Sequence, residues 1–282
     1  MKLIKHLFVA ITALGIGYSA QAGNITVKGS DTMVILGQKW AERYMQTHPQ
    51  TKVQVTGGGT GVGIAALLNR GTDLANASRK MKPKEVTDFV KIYNKRPTEY
   101  KVALDGLSIY VNDQNPIKEL SLEQLDGIFT GKIKNWKEVG GQDSRIVVYS
   151  RENSSGTYEF FKESVLKGKD FAAAVQTMPG TAAVLQAVAR EKFGIGYGGA
   201  AYGAGAKDLA IKKDAGSKAV EPSEETVVNG TYPIWRYLYI YVNPAIDQGE
   251  IGSYLKWIRS DAGQRVVKDI GYYPLPENLQ EK

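Results

Sequence analysis

Three short turns rich in glycine and hydroxyl residues each run straight into an amphipathic helical pattern. They are Gly29-Ser30-Asp31-Thr32, Gly57-Gly58-Gly59-Thr60-Gly61 and Ser154-Ser155-Gly156-Thr157. A helix N-terminus carries unpaired N–H groups and about half an elementary positive charge, which suits a bound anion. Hydroxyl side chains add short donors, and glycine lets the backbone close on a ligand. Each turn taken alone reads as ordinary helix capping, worth about 1 kcal/mol. Three together, with Arg79 and Arg151 at the ends of strand-like segments, read as a cage for a small oxyanion. Either arginine alone could be solvated or paired internally, but a guanidinium at a strand end can also grip two anion oxygens at once.

Other chemistries fit the residues less well. Gly61-Val62-Gly63-Ile64-Ala65-Ala66 matches a loose dinucleotide-binding pattern, but no strand ending in an acid stands about 20 residues on. Gly127 to Lys132 resembles a P-loop one residue short, with Ile133 where a Ser or Thr is needed. There are only two histidines, His6 near the N-terminus and His48 beside Pro49. A metal hydrolase or a Ser-His-Asp enzyme therefore lacks its central residue. Ser155 stands outside a G-x-S-x-G elbow and has no candidate base. Cysteine is absent, which removes disulfides, thiol catalysis and zinc–thiolate sites. Neither enzymatic activity nor a metal or cofactor is expected. The net charge of +7 attracts anions. Its lysines alternate with acids, as in Lys80-Met81-Lys82-Pro83-Lys84-Glu85, without a basic stripe of stacking aromatics, so nucleic acid is not an expected partner.

The elements that must position these turns follow from hydropathy. Lys2 and Lys5, the apolar run Leu7 to Ile16 and Ala20-Gln21-Ala22 form a secretory signal peptide over residues 1–22, too short to span a bilayer as a helix. No cysteine is available for lipid attachment, so a soluble periplasmic protein is expected. Strand-like and helix-like segments alternate in the roughly 260 residues that remain, the pattern of an open α/β sheet. Strands are expected at Ile25–Lys28, Thr51–Thr56, Leu74–Ala77, Val102–Val111, Arg145–Tyr149, Phe193–Tyr197 and Tyr237–Val242. Helices are expected at Met33–Met45, Val62–Leu68, Leu122–Phe129, Tyr158–Leu166, Thr181–Glu191 and near Ser253–Arg259. The turns fall at the carboxyl ends of strands, where ligands of such sheets sit. Ser108-Ile-Tyr-Val-Asn112 and Tyr239-Ile-Tyr-Val-Asn243 read as two crossovers of a hinge. That gives a first lobe of residues 23–112 and 233–282, a second lobe of 113–232, and a cleft between them that can shut.

At these residues the chain resembles the phosphate-binding proteins that feed bacterial ABC phosphate transporters. The likeness spans nearly all of the mature chain. It rests on Gly29-Ser30-Asp31-Thr32, the Gly57 to Gly63 run, Ala77-Ser78-Arg79, Ile128-Phe-Thr-Gly-Lys-Ile-Lys-Asn-Trp136, Arg151 with Ser155-Gly156-Thr157, Gly194-Ile-Gly-Tyr197 and Tyr232-Pro-Ile234. The resemblance implies an α/β, two-lobed periplasmic binding protein fold of type II, with a two-strand hinge closing on one dehydrated phosphate. It implies inorganic phosphate and an inner-membrane ABC permease as partners of a monomer. Carried over, Ser30, Thr32, Thr60, Gly61 and Ser78 would serve from the first lobe, and Arg151, Ser155, Gly156 and Thr157 from the second. Many members have Asp where this chain has Arg79, and that Asp accepts the phosphate proton. Arg79 would instead add a cation to the site. Asp31 becomes the candidate acceptor, ahead of Glu152 and Asn153. An acceptor separates protonated phosphate from sulfate, which has no proton to give. The alternatives are the same fold for sulfate, arsenate, molybdate or tungstate, or a secreted phosphatase or surface-interaction protein on this scaffold.

Overall fold

The computed structural model describes residues 23–281 apart from Ala204; the signal peptide expected over residues 1–22 lies outside the described residues. The first third alternates strictly: β1 (Gly23–Gly29), α1 (Val34–Thr47), β2 (Thr51–Gly58), α2 (Thr60–Leu68), β3 (Leu74–Ala77), α3 (Pro83–Tyr93) and the long β4 (Thr98–Val111). The middle of the chain supplies β5 (Glu119–Ser121), α4 (Leu122–Phe129), β6 (Val147–Arg151), α5 (Gly156–Ser164), β7 (Gln176–Met178), α6 (Thr181–Arg190) and β8 (Gly194–Gly199). There follow β9 (Lys207–Asp208), β10 (Ala210–Lys212), α7 (Glu224–Val228), β11 (Trp235–Val242), α8 (Gly249–Arg259) and α9 (Asp261–Ile270).

One sheet runs through both lobes in the order β2-β1-β3-β11-β4-β8-β6-β7, with β9 also on β4 and β10 paired separately with β5. β2, β1 and β3 are parallel, so their carboxyl ends share one edge. In the first lobe, α1, α8 and α9 bury Leu36, Trp40, Tyr44, Tyr254, Leu255, Ile258 and Val267 against one face of the sheet. On the opposite face, Ile64 and Leu67 of α2 and Phe89 of α3 pack over Ala75, Ala77, Tyr239 and Tyr241. The second lobe has its own core. Phe161 of α5 stacks on Tyr197 of β8 at 4.1 Å and 6°, beside Phe129 of α4. A parallel stack of this kind, fully buried, fixes the axis of α5 and therefore where its N-terminus points.

The lobes are joined by continuous β structure. β4 pairs with β11 along residues 98–106 and with β8 along 107–111. Its far end, Ile109 and Val111, packs in the second core, so the chain passes between cores inside the strand rather than at residue 112. The two look-alike pentapeptides do not pair with each other: Tyr239 to Val242 lies against Thr98 to Lys101.

Three helices, α3, α7 and α9, exceed the sequence reading. α3 begins at Pro83 behind Lys82, with Glu85 reaching back to the cap, a helix start hidden in a run of charges. α9 contains Gly263, whose bare Cα lets α9 pack onto the end of α8, where a Cβ would lie 2.2 Å from the Ile258 carbonyl oxygen; Trp40 Nε1 of α1 donates to the Gly263 carbonyl at 2.9 Å. Register also moves at the third turn. β6 extends to Arg151, and α5 starts at Gly156 rather than at Tyr158, which makes Gly156 and Thr157 its first residues and Ser155 its N-cap.

Close packing sets the position of the second turn. A Cβ on Gly63 of α2 would lie 2.5 Å from Gly29 Cα and 2.6 Å from the Lys28 carbonyl oxygen of β1. Gly63→Ala should therefore push α2 off the sheet and cost about 1–3 kcal/mol. The expected readout is a lower urea midpoint with an unchanged slope.

Candidate functional site

The three turns meet. β1 ends at Gly29, whose φ of +139° turns the chain sharply; a Cβ there would sit 2.1 Å from the Asn76 carbonyl oxygen. Ser30 N–H then donates to that same carbonyl at 2.9 Å. A short 3-10 turn, Asp31–Met33, leads into α1. Gly59 precedes α2 at φ +94° and donates its N–H to the Gly29 carbonyl, tying the second turn to the first. Ser78 follows β3 and donates its N–H to Thr60 Oγ1 at 3.0 Å. In the second lobe, Ser155 Oγ accepts the N–H groups of Thr157 and Tyr158, which is N-capping in the ordinary sense. The first two turns have no side-chain cap of this kind.

Hydroxyls of the two lobes share one buried cluster. Thr32 Oγ1 and Thr157 Oγ1 are 2.7 Å apart, Thr60 Oγ1 and Ser78 Oγ 3.4 Å, and Ser78 Oγ and Thr157 Oγ1 3.5 Å. All four residues are fully buried, and Ser30, Ser155 and Arg151 are nearly so. The lobes are in direct contact around them. Gly61 N–H donates to the Ser154 carbonyl at 2.9 Å, and Lys82 pairs with Glu159 at 2.9 Å. A Cβ on Gly156 would lie 2.3 Å from Thr60 Oγ1 and 2.7 Å from Ser78 Oγ. Glycine there lets the N-terminus of α5 come down directly on the first lobe.

Charge crosses the same seam. Arg151 donates from Nη2 to Asp31 Oδ2 at 2.7 Å and to Glu152 Oε1 at 3.1 Å, and from Nη1 to Thr181 Oγ1 at 2.9 Å. Its Nε–H is buried with no partner among the described residues, and so is Oε2 of Glu152. Asp31 Oδ1 also accepts the Gly58 N–H at 2.7 Å, so the carboxylate bridges the second turn and the second lobe rather than capping its own helix. Tyr202 O–H donates to the Asp31 carbonyl at 2.7 Å. Burial first of all lifts that phenol to about 12, so it stays a neutral donor at any working pH.

The cluster thus gathers Ser30, Asp31, Thr32, Thr60, Gly61, Ser78, Arg151, Ser155, Gly156 and Thr157. It does not gather Arg79. That guanidinium is held in a fork by Glu85, Nη1 to Oε2 and Nη2 to Oε1 at 2.8 Å each, with Nη1 also on the Lys80 carbonyl. The cation expected at the site belongs instead to the start of α3, and the signal was Pro83 followed by Glu85, a helix N-terminus with an acid in its first turn. Conversely, Arg236 of β11 was not anticipated. It donates from Nη2 to Thr157 Oγ1 and from Nη1 to the Ser78 carbonyl, at 2.9 Å each, while pairing with the fully buried Asp105. The available signal was one lone charge in each of two otherwise uncharged stretches, Val102-Ala-Leu-Asp-Gly-Leu107 and Trp235-Arg-Tyr-Leu-Tyr-Ile240.

Two α/β lobes sharing continuous strands, shut over hydroxyls and helix N-termini from both sides, define a solute-binding protein of the periplasmic type. The PBP superfamily domain, as a family model, matches residues 17–262. The Phosphate-binding protein PstS of Pseudomonas aeruginosa is 38% identical over 281 residues, covering 94% of this chain and 87% of the relative. The protein of the same name from Staphylococcus aureus strain USA300 is 32% identical over 295 residues, covering 97% of this chain and 89% of the relative. A Clostridium perfringens structure, described as a phosphate ABC transporter substrate-binding protein with bound phosphate, aligns with a TM-score of 0.82. It is 27% identical and covers 90% of this chain and all of that one. An ABC-type phosphate transport receptor from Vibrio cholerae aligns at 0.71 with 28% identity, over 89% of this chain and all of that one. The chain belongs to the PBP superfamily and, within it, to the family of PstS phosphate-binding proteins.

The place of Arg79 is open to a direct test. Arg79→Ala and Glu85→Ala should each cost about 1–3 kcal/mol, since each strands the other half of a charged, largely buried fork. Combined, they should cost clearly less than their sum, as partners in one interaction do. Chemical denaturation of the two single variants and the double variant measures this.

Proposed function

We propose that this protein captures inorganic phosphate between its lobes and delivers it to an inner-membrane ABC permease. The observation that carries the reading is the shared cluster. Thr32, Thr60 and Ser78 from one lobe and Thr157 from the other form a buried chain of hydroxyls in which each lies within 3.5 Å of its neighbour, with Thr32, Thr60 and Thr157 at the starts of three helices and Ser78 just after β3. A small tetrahedral anion accepts many hydrogen bonds from all sides, and that arrangement offers donors from all sides. Exclusion of water strengthens each of them. The buried Nε–H of Arg151, with no partner among the described residues, is a further charge-assisted donor for a ligand oxygen.

Selectivity for phosphate over sulfate requires an acceptor. Asp31 is the candidate: each of its oxygens takes one N–H, from Gly58 or from Arg151, and keeps a second lone pair. Glu152, which shares Arg151 Nη2 with it, stands second, and Asn153 is third. The protein carries out no chemistry on its ligand and acts as a monomer in the periplasm after losing its leader. No helix among the described residues is long and apolar enough to cross a membrane.

Arg151→Ala should abolish tight phosphate binding in calorimetry while the fold survives, a loss of several kcal/mol for one buried charged contact. Wild-type affinity in that variant would remove Arg151 from the site. Asp31→Asn should weaken phosphate and narrow the gap between phosphate and sulfate in competition across pH. Glu152→Gln should leave that gap as it is. Binding of sulfate, molybdate or tungstate in preference to phosphate would reassign the ligand. Turnover of a chromogenic phosphate ester, lost on Ser155→Ala, would make the protein a phosphatase.

A further inference from the structure

Arg236 and Asp105 sit directly opposite each other on the two strands that join the lobes. Nε and Nη2 of the arginine both donate to Asp105 Oδ2, at 3.0 and 2.8 Å. Both side chains are essentially out of solvent. A buried ion pair seldom stabilises a fold more than apolar residues of the same volume would, so stability gives a weak account of this one. The rest of the guanidinium is more informative. Its distal edge reaches the Ser78 carbonyl in the first lobe with Nη1 and Thr157 Oγ1 in the second with Nη2. Phe160 of α5 lies under the same guanidinium, 5.0 Å from its carbon to the ring centroid.

Arginine can only donate. Thr157 Oγ1 therefore spends acceptor capacity on Arg236, and its own proton is directed elsewhere, toward Thr32 Oγ1 at 2.7 Å or toward a ligand oxygen in that space. Asp105 holds the fork in place, and its Oδ1 accepts the Ala200 N–H at 3.2 Å. The pair rides on the joining strands, whereas Thr157 rides on α5 of the second lobe. The Arg236–Thr157 bond is thus a contact between hinge and moving lobe, made when the lobes are together.

We propose that Arg236, braced by Asp105, is a positioning residue that sets the Thr157 hydroxyl as a donor to the bound anion and couples ligand capture to lobe closure. The proposal rests on the phosphate reading above. The test is calorimetry with inorganic phosphate on proteins from which the buried charges are removed as a pair, Asp105→Leu with Arg236→Met, so that no unpaired charge is left inside. This double variant, Thr157→Val, and the triple variant complete a cycle with the wild type. The double variant should bind phosphate about tenfold more weakly or worse, the effect of losing one charge-assisted hydrogen bond. In the Thr157→Val background the same pair of substitutions should cost less than about threefold, because the hydroxyl it positions is already gone. An equal loss in both backgrounds, or none in either, overturns the proposal. Arg236→Lys, which keeps the charge without the fork, is the second variant and should show the same dependence on Thr157. If neither form folds, as judged by circular dichroism, the pair is structural and the proposal fails. If the wild type itself does not bind phosphate, it is the phosphate reading that falls.

Discussion

Buried helix N-termini need acceptors, and this molecule turns three of them toward one dry place. The starts of α1, α2 and α5 converge where four hydroxyls lie within 3.5 Å of their neighbours. N–H groups in such a place cannot rely on water. Some are answered locally, as Ser155 answers those of Thr157 and Tyr158. Others are answered from the opposite lobe, as the Ser154 carbonyl answers Gly61. The remaining donor capacity is what an oxyanion would use. Much of the surrounding structure serves this requirement. Parallel β1, β2 and β3 bring two of the turns to one edge, the Phe161–Tyr197 stack aims α5, and glycines at 29, 59, 63 and 156 remove the side chains that would hold the parts apart.

Much of this was legible in the residues because helix starts and strand ends have local chemistry. Ser, Thr and Gly between a β-branched run and an amphipathic run mark a turn wherever it occurs, and all three turns are where that pattern put them. What local pattern does not carry is pairing. Arg79 follows a buried strand just as a ligand-binding arginine would, and only the fold of Pro83 to Tyr93 reveals that Glu85 claims it. The polar surface of α3 concealed that helix, since its apolar stripe rests chiefly on the buried Phe89. Arg236 was hidden for the opposite reason. Its strand is so apolar and aromatic that the segment reads as core, and the charge within it makes sense only once Asp105 is seen across the ladder.

The likeness of two strand endings shows how far such local pattern reaches. Two strands that end alike, at Asn112 and at Asn243, suggested two crossings, and β4 and β11 each carry residues that pack in both cores. The likeness of their endings, however, reflects only that both are buried on two faces and then exit into a turn. One ending lies in the second core and the other in the first, and they never face each other.

The continuity of β4 has a consequence for how such proteins diversify. A single fourteen-residue strand pairs with β11 along residues 98–106 and with β8 along residues 107–111. Because side chains alternate along it, an insertion of one residue near Gly106 would turn every following side chain to the wrong face of the second lobe. The lobes are therefore not interchangeable modules. A chimera of two relatives would have to be cut so that β4 and β11 keep their shared phase, and lineages built on this plan should vary by substitution within lobes more readily than by trading them.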